Sequence, residues 1–172
     1  AAVRALKDGR EPDLSQPLGV TSEINLRAPA LLPSDYCSDV HERLTLYKRL
    51  ANCDTNDELQ SLQEELIDRF GELPDQARTL IETHRLRILA KPIGLAKIDA
   101  TEAVVKLQFI PNPPLDPARI IQLVQQDRRW KLAGPDRLVV ARETATLPER
   151  AAAIREMISL LNQPVSPSKK QS

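Results

Sequence analysis

The feature that most constrains this chain is a change of hydrophobic period at Gly94. Before it, apolar residues recur at three- and four-residue steps through three consecutive segments, the pattern of amphipathic helices; after it, they alternate with polar residues, as in half-buried strands. The first helix is expected to start near Asp39, a natural N-cap, with Val40, Leu44, Tyr47 and Ala51 on its buried stripe and Leu50 beside it. The second opens at Thr55 with Glu58 three residues later, a capping box in which each side chain satisfies the other's exposed amide. Leu59, Leu62, Leu66 and Phe70 make its apolar stripe, and Gly71 is expected in the left-handed C-terminal position. Pro74 is expected as the first residue of the third helix, whose buried stripe is Ala77, Leu80, Ile81, His84 and Ile88; Pro92 must kink or end it.

Beyond Gly94, LAKIDA and AVVKLQFI, separated by Thr101 and Glu102, read as a β-hairpin. A proline-rich loop then delivers Asp116 as N-cap and Pro117 as first helical residue of ARIIQLVQQD. RWKLA and RLVVAR form a second hairpin turning at Gly134, Pro135 and Asp136, and Thr146 with Glu149 caps a last helix carrying Ala152, Ile154, Ile158 and Leu161. The expected fold is α+β: a three-helix subdomain (39–94), then a ββαββα unit (95–163) with a small antiparallel sheet and helices on one face. Within SEINLRA, Ile24 and Leu26 alternate with polar neighbours as a short strand would. The domain is expected to span 22–163, preceded by a helix end and linker over 1–21 and followed by a disordered polar tail over 164–172.

The length, 172 residues, fits one ordinary domain with one buried core as the default. No apolar run approaches the roughly 20 residues of a membrane helix, and the first residues carry neither an initiating Met nor a signal-peptide pattern, so a cytoplasmic piece that begins mid-protein is expected. Lys+Arg and Asp+Glu are both 24, which leaves no net field to concentrate phosphates. Cys37 and Cys53 form no C-x-x-C pair and are expected as reduced structural thiols. The five glycines never take phosphate-loop spacing, so no ATP site is expected in this chain. Cys37 and His41 lack partners that would complete four metal ligands, and no G-x-S-x-G elbow supports a hydrolase. No catalytic residue, cofactor or metal is assigned to this segment.

Carboxylates gather on the second helix. Glu58, Ser61, Glu65 and Asp68 align along one outer ridge, with Glu64 flanking it. Such a face is either simply solvated or a docking strip for Arg and Lys of a partner.

The stretches LLPSDYCSDVHERLTLYKRLA and ELIDRFGELPDQARTLI resemble the C-terminal domain of the bacterial transcription-repair coupling factor. The pattern runs through Leu32, Pro33, Asp39, Arg43, Leu44, Tyr47, Lys48 and Arg49, then Glu65, Leu66, Asp68, Arg69, Phe70, Gly71, Pro74 and Ala77, with a thinner continuation through Gly94, Gly134, Pro135 and Arg137. Pro92 and the loop from Pro111 to Pro117 depart from it. The resemblance implies a non-catalytic domain of a parent that uses ATP and Mg²⁺ to translocate on DNA, displaces stalled RNA polymerase and recruits nucleotide excision repair. It further implies an autoregulatory contact with the parent's N-terminal repair-homology module, masking the surface that binds the damage-recognition ATPase. On that implication the acidic ridge becomes the docking strip, with Glu65 and Asp68 as principal residues, Arg69 as a counter-partner, and Ser61 and Glu64 alongside. The competing expectation is a direct DNA- or polymerase-binding module using Arg85, Arg87, Lys91 and Lys97.

Overall fold

In the computed structural model, residues 22–165 are described; the expected opening helix and linker, and all but the first two residues of the tail, lie outside them. Strand β1 (Glu23–Asn25) is followed by helices α1 (Val40–Ala51), α2 (Asn56–Phe70) and α3 (Asp75–Ala90), and by a 3-10 turn over Lys91–Ile93. Then come β2 (Leu95–Ala100), β3 (Val104–Phe109), α4 (Pro117–Gln126), β4 (Trp130–Gly134), β5 (Arg137–Ala141) and α5 (Leu147–Leu161).

The helix starts are those the capping residues dictate. Asp39 accepts from the amide of His41 at 2.9 Å, and Asp116 accepts from that of Ala118 at 3.0 Å. Both capping boxes close, Thr55 with Glu58 and Thr146 with Glu149. Pro74 stands one position earlier than expected, as the N-cap of α3, where its carbonyl accepts from Ala77 and Arg78. Gly71 has φ +93° and ψ −169°, which is not the left-handed helical cap expected of it. The end of α2 is satisfied instead by Tyr36, whose hydroxyl lies 3.1 Å from the Leu66 carbonyl and 2.8 Å from that of Gly71.

The ββαββα unit is antiparallel as expected, in the order β2-β3-β5-β4, and the sheet gains β1 as a fifth strand, parallel to β2. The sheet is therefore mixed. Register places Ile98, Leu107 and Leu138 in one buried row and Ala100, Val105, Val140 and Trp130 in the next. α3, α4 and α5 cover that face through Leu86, Leu123, Ile154, Met157 and Leu161. The chain after β1 is anchored by Arg27, which pairs with Asp99 through two 2.8 Å bonds, and by Arg150 of α5, which donates to the Leu26 carbonyl at 2.8 Å.

Instead of one core there are two. Leu46, Leu50, Leu59, Leu62, Leu66, Ala77 and Ile81 pack among the first three helices, while the sheet and its covering helices enclose the other cluster. Helix α3 serves both, giving Ala77, Leu80 and Ile81 to the first and Leu86 and Ala90 to the second. Between these contributions lies a buried polar seam. Arg87 donates to the carbonyls of Leu50 at 3.3 Å and Cys53 at 2.9 Å, and to Nδ1 of His84 at 3.2 Å. A buried guanidinium is tolerated here because it is hydrogen-bonded to backbone carbonyls at and just beyond the end of α1.

The expected stripe of α1 needs correction. Val40 is 56% and Leu44 38% exposed, Tyr47 is half-buried, and Leu46 and Leu50 fill the core with Ala51. Two overlapping stripes exist on this helix, and the approach of α2 and α3 selects the one containing Leu46. In α5, Ala152 is exposed, and Ala151, Ala153 and Met157 are buried with Ile154, Ile158 and Leu161.

Candidate functional site: a charged ladder on the outer face of two helices

The outer ridge of α2 sits beside the C-terminal half of α1. Glu65 is half-buried, whereas Ser61, Glu64, Asp68 and Arg69 are exposed. The Glu65 carboxylate receives Arg49 of α1 in a bidentate pair at 2.7 and 2.8 Å, and also Arg69, one turn along α2, at 3.2 Å. Arg69 reaches back to Glu42 of α1, and its guanidinium lies 4.9 Å above the Phe70 ring. Arg49, Glu65, Arg69 and Glu42 thus form a ladder of alternating charge that ties α1 to α2. The hydrogen bonds from Arg49 hold the Glu65 carboxyl below the usual carboxylate range, against the opposing effect of burial.

Shallow depressions flank the ladder. One is lined by Arg49, Asn52, Cys53, Glu58, Ser61, Leu62 and Glu65, and the other includes Asp39, His41, Glu42, Thr45 and Arg69. Glu64 accepts only from Gln60, at 3.3 Å, and Asp68 has no ion-pair or hydrogen-bond partner among the described residues. The residues expected on the docking strip, Ser61, Glu64, Glu65 and Asp68 from helical spacing and Arg69 from the resemblance, therefore lie together on α2, but in different states. Glu65 and Arg69 are engaged, while Asp68 is open. The spacing within α2 could not disclose Arg49 and Glu42, because they belong to another helix; Arg49 does lie in the sequence pattern that carried the family resemblance.

The four cations of the competing expectation do not make a common free surface. Arg87 is buried in the seam, and Arg85 is held by Glu82 at 3.0 Å, Asn56 at 3.2 Å and Gln63 at 3.1 Å. Lys91 is exposed on the 3-10 turn, and Lys97 stands on the open face of the sheet. Cys37 is buried in the helical core while His41 is exposed on α1, and no group of three or more metal-ligating side chains occurs among the described residues. Cys53 is also a buried free thiol, and burial pushes its pKa up, away from reactivity. No helix among the described residues is long and apolar enough to cross a membrane.

The described residues thus form a two-core α+β unit whose first helices carry an exposed charged ladder. The chain belongs to the transcription-repair coupling factor (TRCF) domain family, whose model matches residues 26–120, more than half its length and all of the ladder. It is 40% identical over 163 residues to the transcription-repair-coupling factor of Escherichia coli, a match covering 94% of this chain and 14% of that protein. With the Haemophilus influenzae transcription-repair-coupling factor the identity is 44% over 127 residues, or 74% of this chain and 11% of the relative. The chain therefore spans a small fraction of the length of these curated relatives. A crystal structure of the C-terminal domain of a transcription-repair coupling factor superposes with a TM-score of 0.65 at 22% identity, covering 83% of this chain and 94% of that one. This likeness shows the shared fold.

Proposed function

We propose that this domain is an autoregulatory clamp of a transcription-repair coupling factor, docking the outer face of α2 onto the N-terminal repair-homology module of its own parent. In that position it masks the surface used by the damage-recognition ATPase. The parent, on this reading, is a cytoplasmic ATP- and Mg²⁺-dependent DNA translocase that displaces stalled RNA polymerase, with its ATP site outside the present segment. The observation that carries the reading is the state of the ridge: Asp68 is exposed and open, and the partners of Glu65 are themselves surface arginines.

Those surface pairs make the ridge exchangeable. Arg49 and Glu65 have side-chain exposures of 45% and 35%, in the range where an ion pair contributes only about 0 to 1 kcal/mol. An incoming arginine can replace Arg49 on Glu65 with one bidentate pair lost and one gained, while Asp68 adds a contact not present before. Little intrinsic affinity is needed. A tether supplies an effective concentration of about 1 mM, so a Kd of about 10 μM would keep about 99% closed, equivalent to about 2.7 kcal/mol.

The test is binding of the damage-recognition ATPase to the full-length parent, with and without Glu65→Ala/Asp68→Ala. If only about 1% of the wild type is open, opening it fully tightens apparent binding by up to roughly 100-fold. An unchanged affinity in a folded double variant contradicts the clamp.

A further inference from the structure

The face of the sheet opposite the helices is uncovered, and its side chains are set by strand register. One row runs Glu23, Lys97, Gln108, Arg137; the next runs Asn25, Asp99, Lys106, Val139, Lys131. Four cations, each on a different strand, therefore share this face. Adjacent strands are about 4.8 Å apart and alternate residues about 7 Å, so the four, on four successive strands, span a patch of roughly 14 by 7 Å at the backbone.

Most of the described arginines are already engaged. Of the exposed cations without an ion-pair or hydrogen-bond partner among the described residues, only Lys48, Lys91 and Arg128 lie off this face, scattered over α1, the 3-10 turn and the loop before β4. Arg27, Arg49, Arg69, Arg78, Arg85, Arg129, Arg142 and Arg155 are all in salt bridges. Arg43, Arg87, Arg119 and Arg150 hydrogen-bond to backbone carbonyls. Lys97, Lys106, Lys131 and Arg137 make neither kind of contact among the described residues, and each is exposed. Of the two acids on the face, Asp99 is already occupied by Arg27. A shallow cleft over part of the patch is lined by Lys97, Lys106, Gln108 and Arg137, with the Arg27-paired Asp99 among them; Lys131 lies outside it. The zero net charge of the whole chain conceals this segregation.

We infer that the open sheet face binds the phosphate backbone of duplex DNA, without reading sequence. Three lysines and one arginine suit phosphates, which Lys contacts as a point charge, better than a protein interface, where lysine is depleted. A duplex presents one charge per about 1.7 Å of axis, so several phosphates meet a patch of this size at once. A single strand is the poorer fit because the face carries no aromatic stacking platform: Trp130 and Phe109 are buried on the opposite side. This inference stands apart from the clamp reading, which uses the outer face of α2.

The test is fluorescence anisotropy of the 172-residue chain with a labelled random-sequence 20-base-pair duplex, a single strand of the same length, and polyglutamate, from 50 to 200 mM salt. Four phosphate contacts give a log–log salt slope near −3.6, a loss of about 150-fold in affinity across that range. Lys106→Glu/Arg137→Glu is expected to weaken duplex binding at least 10-fold and to flatten the slope by about 2, with unchanged circular dichroism. Lys48→Glu, on α1, leaves binding as it was. Absence of duplex binding at 50 mM salt, or binding indifferent to the double reversal, overturns the inference. So does tighter binding of the single strand, or equal binding of polyglutamate, which would reassign the face to an acidic protein.

Discussion

Acidification should loosen this domain through one imidazole well before the carboxylates titrate. His84 is 4% exposed in the seam between the two cores and accepts a hydrogen bond at Nδ1 from Arg87, 3.2 Å away. Burial, and then the neighbouring guanidinium, push its pKa down from 6.5 to about 4. Between those values the unfolded chain binds a proton that the folded chain refuses, so the contribution is fully present above about pH 6.5 and is lost as pH falls towards 4. A displacement of that size corresponds to about 3 kcal/mol, a large part of the 5 to 15 kcal/mol that holds a typical domain. With a urea m-value of about 2 kcal/mol/M, the unfolding midpoint should drop by about 1.5 M between pH 7 and pH 4. The assay is urea unfolding followed by fluorescence of Trp130, the single tryptophan, in a His41→Gln background that removes the other imidazole. His84→Gln retains an acceptor for Arg87 and should make the midpoint nearly flat between pH 6.5 and 4.5. The same slope with and without His84, or an imidazole titrating near 6.5 by NMR, refutes the reasoning.

Two further substitutions probe the joints of the fold. Gly94 has φ +78°, and a Cβ there would lie 2.8 Å from Pro114 Cδ and 2.9 Å from Pro113 Cβ, so Gly94→Ala should cost roughly 2 to 4 kcal/mol in thermal or urea unfolding. Arg150→Ala removes a buried guanidinium that bonds the Leu26 carbonyl and Thr144; about 2 to 4 kcal/mol of stability should be lost, with faster hydrogen exchange in β1 showing where.

The parts of this fold legible in the sequence are those governed by local chemistry. Thr55 with Glu58, Thr146 with Glu149, and Asp116 before Pro117 mark helix starts because their hydrogen bonds close within four residues. The alternation after Gly94 likewise discloses four strands and two hairpins. What the sequence conceals depends on distant approach. The choice of Leu46 over Val40 and Leu44 on α1 is made by α2 and α3, and the parallel docking of β1 on β2 joins segments some 70 residues apart. The same distinction holds for the charged surfaces. Helical spacing aligns Ser61, Glu65 and Asp68, but the engagement of Glu65 by Arg49 crosses between helices. Lys97, Lys106, Lys131 and Arg137 each occupy a polar position of an alternating strand, a signal present in the sequence, yet only strand order puts them together.

The central claim, that the outer face of α2 is a docking strip, is tested most directly by titrating this domain into the purified N-terminal repair-homology module by calorimetry, as wild type and as Glu65→Ala/Asp68→Ala. Because Glu65 only exchanges one arginine for another, the net gain on docking comes chiefly from Asp68. One charge-assisted contact worth on the order of 1.5 to 3 kcal/mol means that micromolar binding should weaken by at least about 10-fold in a double variant of unchanged helical content. Binding that survives the double substitution, or no binding at millimolar concentration, contradicts the account.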